Sequence, residues 1–274
     1  MDDKPLISIR IPAYNHEKYV QKTLDSILAD PYPNKEIVII DDASKDATWE
    51  KILEWASKKN REIKIIYQRN SKNMGVSKTV NKLHTLCSGD YIVAIASDDV
   101  LISGSIEKRL KYLEANKNKK IVFGDCQVID ENDHLLYESG LNGLYAVNKN
   151  NLFDDDNMKK ELILNWGIPG GTLMMTKDVV KEIYFNERLI VEDFDLFLKW
   201  MSKDYLGFID EKISKYRIHS ANAINNDELQ RRRYKDFIRT IFGNMKHFKT
   251  KYKVLLLYAI FSRISKKLLK VKKA

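Results

Sequence analysis

Apolar positions in the first half of the chain switch repeatedly between two spacings. Residues 6–11, 36–40, 63–67, 92–96 and 121–124 are short apolar runs rich in Ile and Val, the signature of buried strands. Between them, residues 17–28, 48–57, 76–86 and 105–115 carry apolar side chains at helical spacing, as Val20, Leu24, Ile27 and Leu28 do. This alternation predicts a parallel sheet flanked by helices. The pattern loosens after Asp125. Residues 130–133 read as a hairpin turn, 148–156 as a polar loop, 173–175 as a strand and 195–202 as a helix. Residues 206–209 and 213–218 read as two closing strands, and no internal repeat is visible.

Charge divides the chain differently. Of its 274 residues 44% are apolar, enough for a sizeable core. The net charge of +9 is concentrated at one end. Residues 228–274 hold fifteen of the 47 Lys and Arg but two of the 38 acids, Glu228 and Asp236, leaving 32 basic and 36 acidic residues before them. A mildly acidic body thus precedes a strongly basic tail, an asymmetry that points to an anionic partner for the tail. Within the tail, Tyr234, Phe237, Ile238, Ile241, Phe242 and Met245 fall at helical spacing, and an apolar run at 254–261 is flanked by Lys and Arg. That run is far short of the roughly 18 residues that cross a bilayer, but it suits a helix lying in the membrane interface. Residues 223–274 are therefore expected to form a basic amphipathic helical tail on a membrane surface; helices packed on the body with a solvated basic face are the alternative. Nucleic acid is the poorer partner and none is expected, since the acidic body would repel it and no aromatic–basic reader motif occurs. The polar start, Met1-Asp-Asp-Lys-Pro5, leads straight into a strand, so a cytoplasmic protein, peripheral on the cytoplasmic face of the inner membrane, is expected. Cys87 and Cys126 lie in apolar contexts without metal-ligand spacing and read as buried thiols.

The chemistry sits where strands end. Asp98-Asp99 follows the apolar run at 91–96, and Asp41-Asp42 follows the run at 37–40. A carboxylate at the end of a buried strand needs water, a donor or a cation, and a hard divalent ion holding a diphosphate satisfies that need. Two such strand ends predict one ligand site at the carboxyl edge of the sheet. Neither a G-x-G-x-x-G nor a G-x-x-x-x-G-K-[ST] sequence occurs, which disfavours dinucleotide-binding and P-loop enzymes.

In order along the chain stand Ile11-Pro-Ala-Tyr-Asn15, Ile40-Asp-Asp-Ala-Ser-Lys-Asp-Ala-Thr48, Asn73-Met-Gly-Val-Ser77, Ser97-Asp-Asp99, Val191-Glu-Asp193 and Tyr216-Arg-Ile-His219. With these six elements the chain resembles a family-2 glycosyltransferase of GT-A fold, of the bacterial surface-polysaccharide type, over roughly residues 5–220. The resemblance implies an α/β catalytic domain at 1–222, with a nucleotide-binding half to about 125 and an acceptor half at 126–222. It places Pro12, Ala13, Tyr14, Asn15, Asp42, Asn73 and Gly75 around the nucleoside of a nucleotide-sugar donor. Asp98 would meet the ribose or the metal shell, and Lys78 and Arg217 the diphosphate. Asp99 and His219 would hold Mn²⁺ or Mg²⁺, which stabilises a leaving diphosphate. Asp193 would take the acceptor proton, with Glu192 beside it; one such base suffices for single-displacement inversion. Each element also has a plainer reading: Asp41 or Asp42 as a helix cap, Glu192-Asp193 as acids favoured by a helix N-terminus, and His219 as a structural residue. Trp166 either stacks on a sugar or packs in the core, and 167–172 either lets an acceptor approach a glycine backbone or simply turns. The chain departs from the resemblance at Ala96, where many relatives carry an acid, and at Val80 before Asn81. The expected function is transfer of a sugar from a nucleotide-diphosphate donor, UDP-linked by preference, to a glycan such as a lipid-linked saccharide. A sugar-phosphate nucleotidyltransferase and a non-catalytic sugar-binding module are the rival classes.

Overall fold

The computed structural model of the protein describes residues 4–182, 184–219 and 227–271, without the side chains of 192, 227–231 and 264–271. The alternating first half folds as expected. Strands β1 (Ile7–Ala13), β2 (Lys35–Asp41), β3 (Lys64–Arg69) and β4 (Tyr91–Ala94) pair in parallel in the order β3-β2-β1-β4. Helices α1 (Val20–Leu28), α2 (Thr48–Lys59) and α3 (Val76–Leu86) make the crossovers.

The second half is mixed. It comprises β5 (Val100–Leu101), α4 (Ser105–Ala115), β6 (Ile121–Ile129), β7 (Leu135–Tyr137), α5 (Asp155–Leu164), β8 (Met174–Thr176), α6 (Lys177–Glu182), α7 (Glu192–Ser202) and β9 (Leu206–Arg217). Strand β8 inserts antiparallel between β4 and β6, β9 runs parallel to β6, and β5 closes the edge antiparallel to β9. The turn at 130–133 does join a hairpin, β6 to β7, with Asp133 at φ 70° and its N–H donating to the Asp130 carbonyl at 3.2 Å.

Two expectations change. The two closing strands are one: β9 carries exposed Asp210 and Glu211 through register shifts against β6 around Asp125, so a bulge, not a break, puts polar residues mid-strand. The polar loop at 148–156 contains a helical turn, Lys149–Phe153, and the start of α5, whose cap Asp154 accepts a hydrogen bond from the Asn157 N–H at 2.9 Å.

Strand alternation sends neighbours to opposite faces. Ile37 and Ile39 join Leu24, Ile27, Trp55 and Leu110 beneath α1, α2 and α4, whereas Val38 and Ile40 join Leu83, Phe194 and Trp200 on the other side. Helices α8 (Asp227–Asn244) and α9 (Thr250–Val271) belong to this second core through Phe237, Ile241, Tyr252, Leu256 and Ala259. Phe237 stacks on Phe194 at 4.8 Å between centroids, and the Asn244 amide donates to Asp195 at 2.7 Å. At least to Ala259, then, the basic tail packs on the body with one face; the expected boundary at 222/223 lies outside the described residues.

Candidate functional site

The carboxyl ends of β1, β2 and β4 open into a cavity of about 480 Å³. Pro12, Ala13 and Tyr14 leave β1 along one wall; Asp42, Asn73, Gly75, Val76 and Thr79 form a second; Ala96, Asp98, Tyr216, His219 and His16 close the third. Eight of the residues expected around the donor and metal therefore meet here.

Each wall has a local cause. Asp42 ties the β2 end to the start of α3: its carboxylate accepts from the Asn70 amide at 2.8 Å and from the Met74 and Gly75 N–H groups at 2.9 and 2.8 Å. Gly75 stands at φ 84°, a conformation that favours glycine, and so can aim its N–H at Asp42. Asp41 points the other way. It accepts from the Ser44 backbone and hydroxyl and pairs with Arg69 Nε at 3.1 Å, which holds the following turn. Asn15, at φ 55°, is part of the same brace: its N–H donates to Ser44 Oγ at 2.9 Å and its side-chain oxygen accepts from the Lys45 N–H at 2.8 Å.

The tandem acids divide their work. Asp98 faces the cavity, where its Oδ2 lies 3.0 Å from His219 Nε2 and 3.6 Å from His16 Nε2. One ligand atom from each of the three residues lies within 4.8 Å of the others. The His16 Nδ1 is 2.7 Å from Ser97 Oγ, an outer contact that turns Nε2 toward Asp98. Burial raises the Asp98 carboxyl, but the His219 hydrogen bond and the nearby imidazole charges outweigh it and hold it below the ordinary carboxylate range. Burial lowers His16 below the ordinary histidine value, with Asp98 opposing. Two imidazole nitrogens and a carboxylate suit a divalent transition ion.

Asp99 is not in this group. Its Oδ1 accepts the Arg217 N–H at 3.0 Å, its carbonyl accepts Thr23 Oγ1 at 2.6 Å, and its Oδ2 lies so near the Gly171 backbone that a Cβ there would stand 3.0 Å away. Burial and the charge of Asp98 push this carboxyl well above the usual range. Arg217 is likewise internal. Its Nε donates to the Asp98 carbonyl at 2.8 Å, its Nη1 donates to the Asp130 carbonyl at 3.0 Å and pairs with Asp133 at 2.6 Å, and its guanidinium covers the Tyr19 ring at 4.8 Å. It clamps the backbone that presents Asp98 and does not line the cavity. Lys78 sits on the outer side of α3, in a separate groove with Asn81, Lys82 and Tyr184.

Asp193 lies near the N-terminus of α7, outside the cavity lining, and its side chain reaches solvent. Surrounding protein raises its carboxyl above the ordinary range, opposed by the Phe194 N–H, the Trp166 indole and the charge of Arg233. Tyr145 stands between the two regions: its phenol lies near Tyr216 of the cavity wall and feels the charges of Asp99 and Asp193. Tyr145 packs so closely on Gly167 that a Cβ there would stand 2.3 Å from its own Cβ. Trp166 packs edge-on against Phe194 and Phe197 at 5.3 and 4.5 Å. The Glu192 side chain lies outside the described residues. Sequence reasoning missed His16, Val76, Thr79, Tyr145 and Tyr216. For His16 the signal is its place next to Asn15; for Tyr216, its place inside the last motif.

A family profile described as Glycosyl transferase family 2 matches residues 8–184. The chain is 26% identical over 250 residues to an uncharacterized glycosyltransferase of Methanocaldococcus jannaschii, covering 90% of this chain and 82% of the relative. It is 30% identical over 237 residues to one of Rickettsia prowazekii, covering 85% and 70%. Among solved structures it is similar to S. aureus TarS 1-349 in complex with UDP-GlcNAc, with a TM-score of 0.71, 17% identity and 93% and 72% coverage. It is also similar to the mannosyltransferase PcManGT of Pyrobaculum calidifontis in complex with GDP-Man and Mn²⁺, with a TM-score of 0.68, 15% identity and 95% and 70% coverage. With strand ends, acids and histidines converging on one cavity, and a family match running through both halves of the sheet, the chain belongs to glycosyl transferase family 2 and has the GT-A fold.

Proposed function

We propose that the protein is an inverting, metal-dependent glycosyltransferase that moves a sugar from a UDP-linked donor to a hydroxyl of a lipid-linked glycan, at the cytoplasmic face of a membrane. The observation that carries this reading is the convergence of His16, Asp98 and His219 at the mouth of the cavity walled by Pro12–Tyr14, Asp42 and Gly75. Tyr14 and Val76 are exposed apolar surface at that cavity, suited to a base. Structures of similar fold hold UDP-GlcNAc in one case and GDP-Man with Mn²⁺ in the other.

Asp98, His219 and His16 would hold Mn²⁺ or Mg²⁺, which when bound neutralises charge on a leaving diphosphate. In this reading Asp98 takes the ligand role expected of Asp99, while Asp99 and Arg217 fix the backbone that presents it. Asp193 is the base. Its raised carboxyl is the stronger proton acceptor, and it takes the acceptor proton as that oxygen bonds to C1 and the C1–diphosphate bond breaks, releasing UDP.

Thermal stabilisation by UDP, GDP, CDP and dTDP, each with Mn²⁺ or with chelator, tests the donor half, because a ligand bound to the native state raises apparent stability. A UDP-selective, Mn²⁺-dependent shift is expected. A nucleotide response equal with and without chelator would remove the metal from the reading.

A further inference from the structure

We infer that the outward face of α9 docks on an anionic lipid surface and fixes the orientation of the body on it. This deepens the proposed membrane location but does not depend on donor chemistry. Helix α9 has two opposed faces. Tyr252, Leu256 and Ala259 are buried in the core of the body. Val254, Leu257, Tyr258 and Phe261 project at i, i+3, i+4 and i+7 on the opposite side and are 64, 46, 57 and 66% exposed. A ridge of large apolar side chains in water is unfavourable unless something covers it.

The surrounding charge selects what covers it. From Thr250 to Val271 the sequence contains six Lys or Arg and no acid. Exposed Lys249 stands ahead of the ridge and Lys253 lies between its first turn and the core face, whereas Lys251 is ion-paired with Asp156 and Arg263 covers the core Phe237 ring at 3.7 Å. Basic flanks with an apolar ridge between them match a leaflet in which headgroups are negative and acyl chains begin a few ångströms below. Tyr258 suits that boundary, with an apolar ring and a polar tip. Among the described residues no helix is long and apolar enough to cross a membrane, so this helix would lie along the surface. A second copy of the chain is a poorer occupant, because four side chains on one helical ridge fall well short of the ~800 Å² per partner of a stable dimer. Since the opposite face of α9 is built into the core, docking would hold the whole body, and not a flexible tether, against the lipid.

The test is co-sedimentation of the full chain with vesicles of phosphatidylcholine alone or with about one third phosphatidylglycerol, an anionic content that strengthens basic contacts. Binding to the anionic vesicles only, weakened by salt, is expected. The double variant Leu257→Asp, Phe261→Asp should reduce that binding at least tenfold, since it places charges where apolar area must be buried. The pair Lys249→Glu, Lys253→Glu should also reduce it by at least tenfold, at about fivefold or more per lysine. The UDP·Mn²⁺ thermal shift, measured on every variant, reports folding and the donor site independently of the membrane. Equal binding to neutral vesicles, variants that sediment like the parent, or no vesicle binding by the parent would each overturn the inference. So would a parent dimer abolished by the ridge substitutions, which would show a second copy covering the face.

Discussion

Replacing Arg217 with lysine separates two roles that its sequence position leaves open, a donor contact and a clamp beneath the site. Its guanidinium is fully buried and serves the Asp98 carbonyl, the Asp130 carbonyl and Asp133 at once, from a planar fork over Tyr19. A lysine ammonium is a point donor and retains about one of these contacts. Each lost hydrogen bond from a charged donor costs about 1.5–3 kcal/mol. The Asp133 pair is partly exposed on the acid side, so solvent screening limits it to about 1 kcal/mol. Arg217→Lys should therefore lose about 2–4 kcal/mol. In guanidinium denaturation the midpoint should fall with little change in slope, and Tm should drop by about 4–12 °C. Affinity for UDP·Mn²⁺, measured by calorimetry well below the new Tm, should fall much less than it does in an Asp98→Asn variant. A variant as stable as the parent but weak in donor binding would refute the clamp and return Arg217 to the diphosphate.

Further outcomes are expected at three other residues. Asp193→Asn should keep UDP binding and lose transfer by about 10²–10⁴-fold, the range of general-base contributions. Because the protein packed around its base raises the Asp193 carboxyl, kcat/KM should hold at higher pH and fall as pH drops through a pKa above the usual ~3.9; an acid limb at or below that value would remove Asp193 from the role. Ser97→Ala should weaken Mn²⁺ binding, read by electron paramagnetic resonance in the presence of UDP, by about 10-fold or more through loss of the His16 contact; undiminished binding would exclude His16 from the ligand set. Gly75→Ala meets no atom within 4 Å but must keep φ 84° and ψ 159°, a region essentially reserved for glycine, so chemical denaturation should show a loss of about 1–3 kcal/mol, and an unchanged midpoint would mean the turn relaxes.

The alternation of strands and helices at the start of the chain was readable because β1 to β4 are separated by crossover helices, and each carries its own spacing in a contiguous stretch. The ends of β2 and β4 were readable as a site for the same reason: an acid after an Ile-rich run stands out locally. Spacing said nothing about the two-residue β5, the insertion of β8 between β4 and β6, or the bulge that keeps β9 continuous, since each depends on pairing with distant chain. The division of labour within the site was equally hidden. Asp98 and Asp99 are adjacent and chemically identical, yet one meets two imidazoles while the other meets the Arg217 N–H, 118 residues away. Arg217 reads as a free cation in sequence and becomes a buried clamp only once Asp98, Asp130 and Tyr19 surround it. His16 joins the group only when the β1 loop crosses the strand end bearing Asp98. In the tail, sequence alone supplied the amphipathic basic helix. The tertiary structure decided which face Phe237, Tyr252 and Leu256 bury and left Val254, Leu257, Tyr258 and Phe261 outward, because a helical repeat shows that two faces exist but only packing selects the covered one.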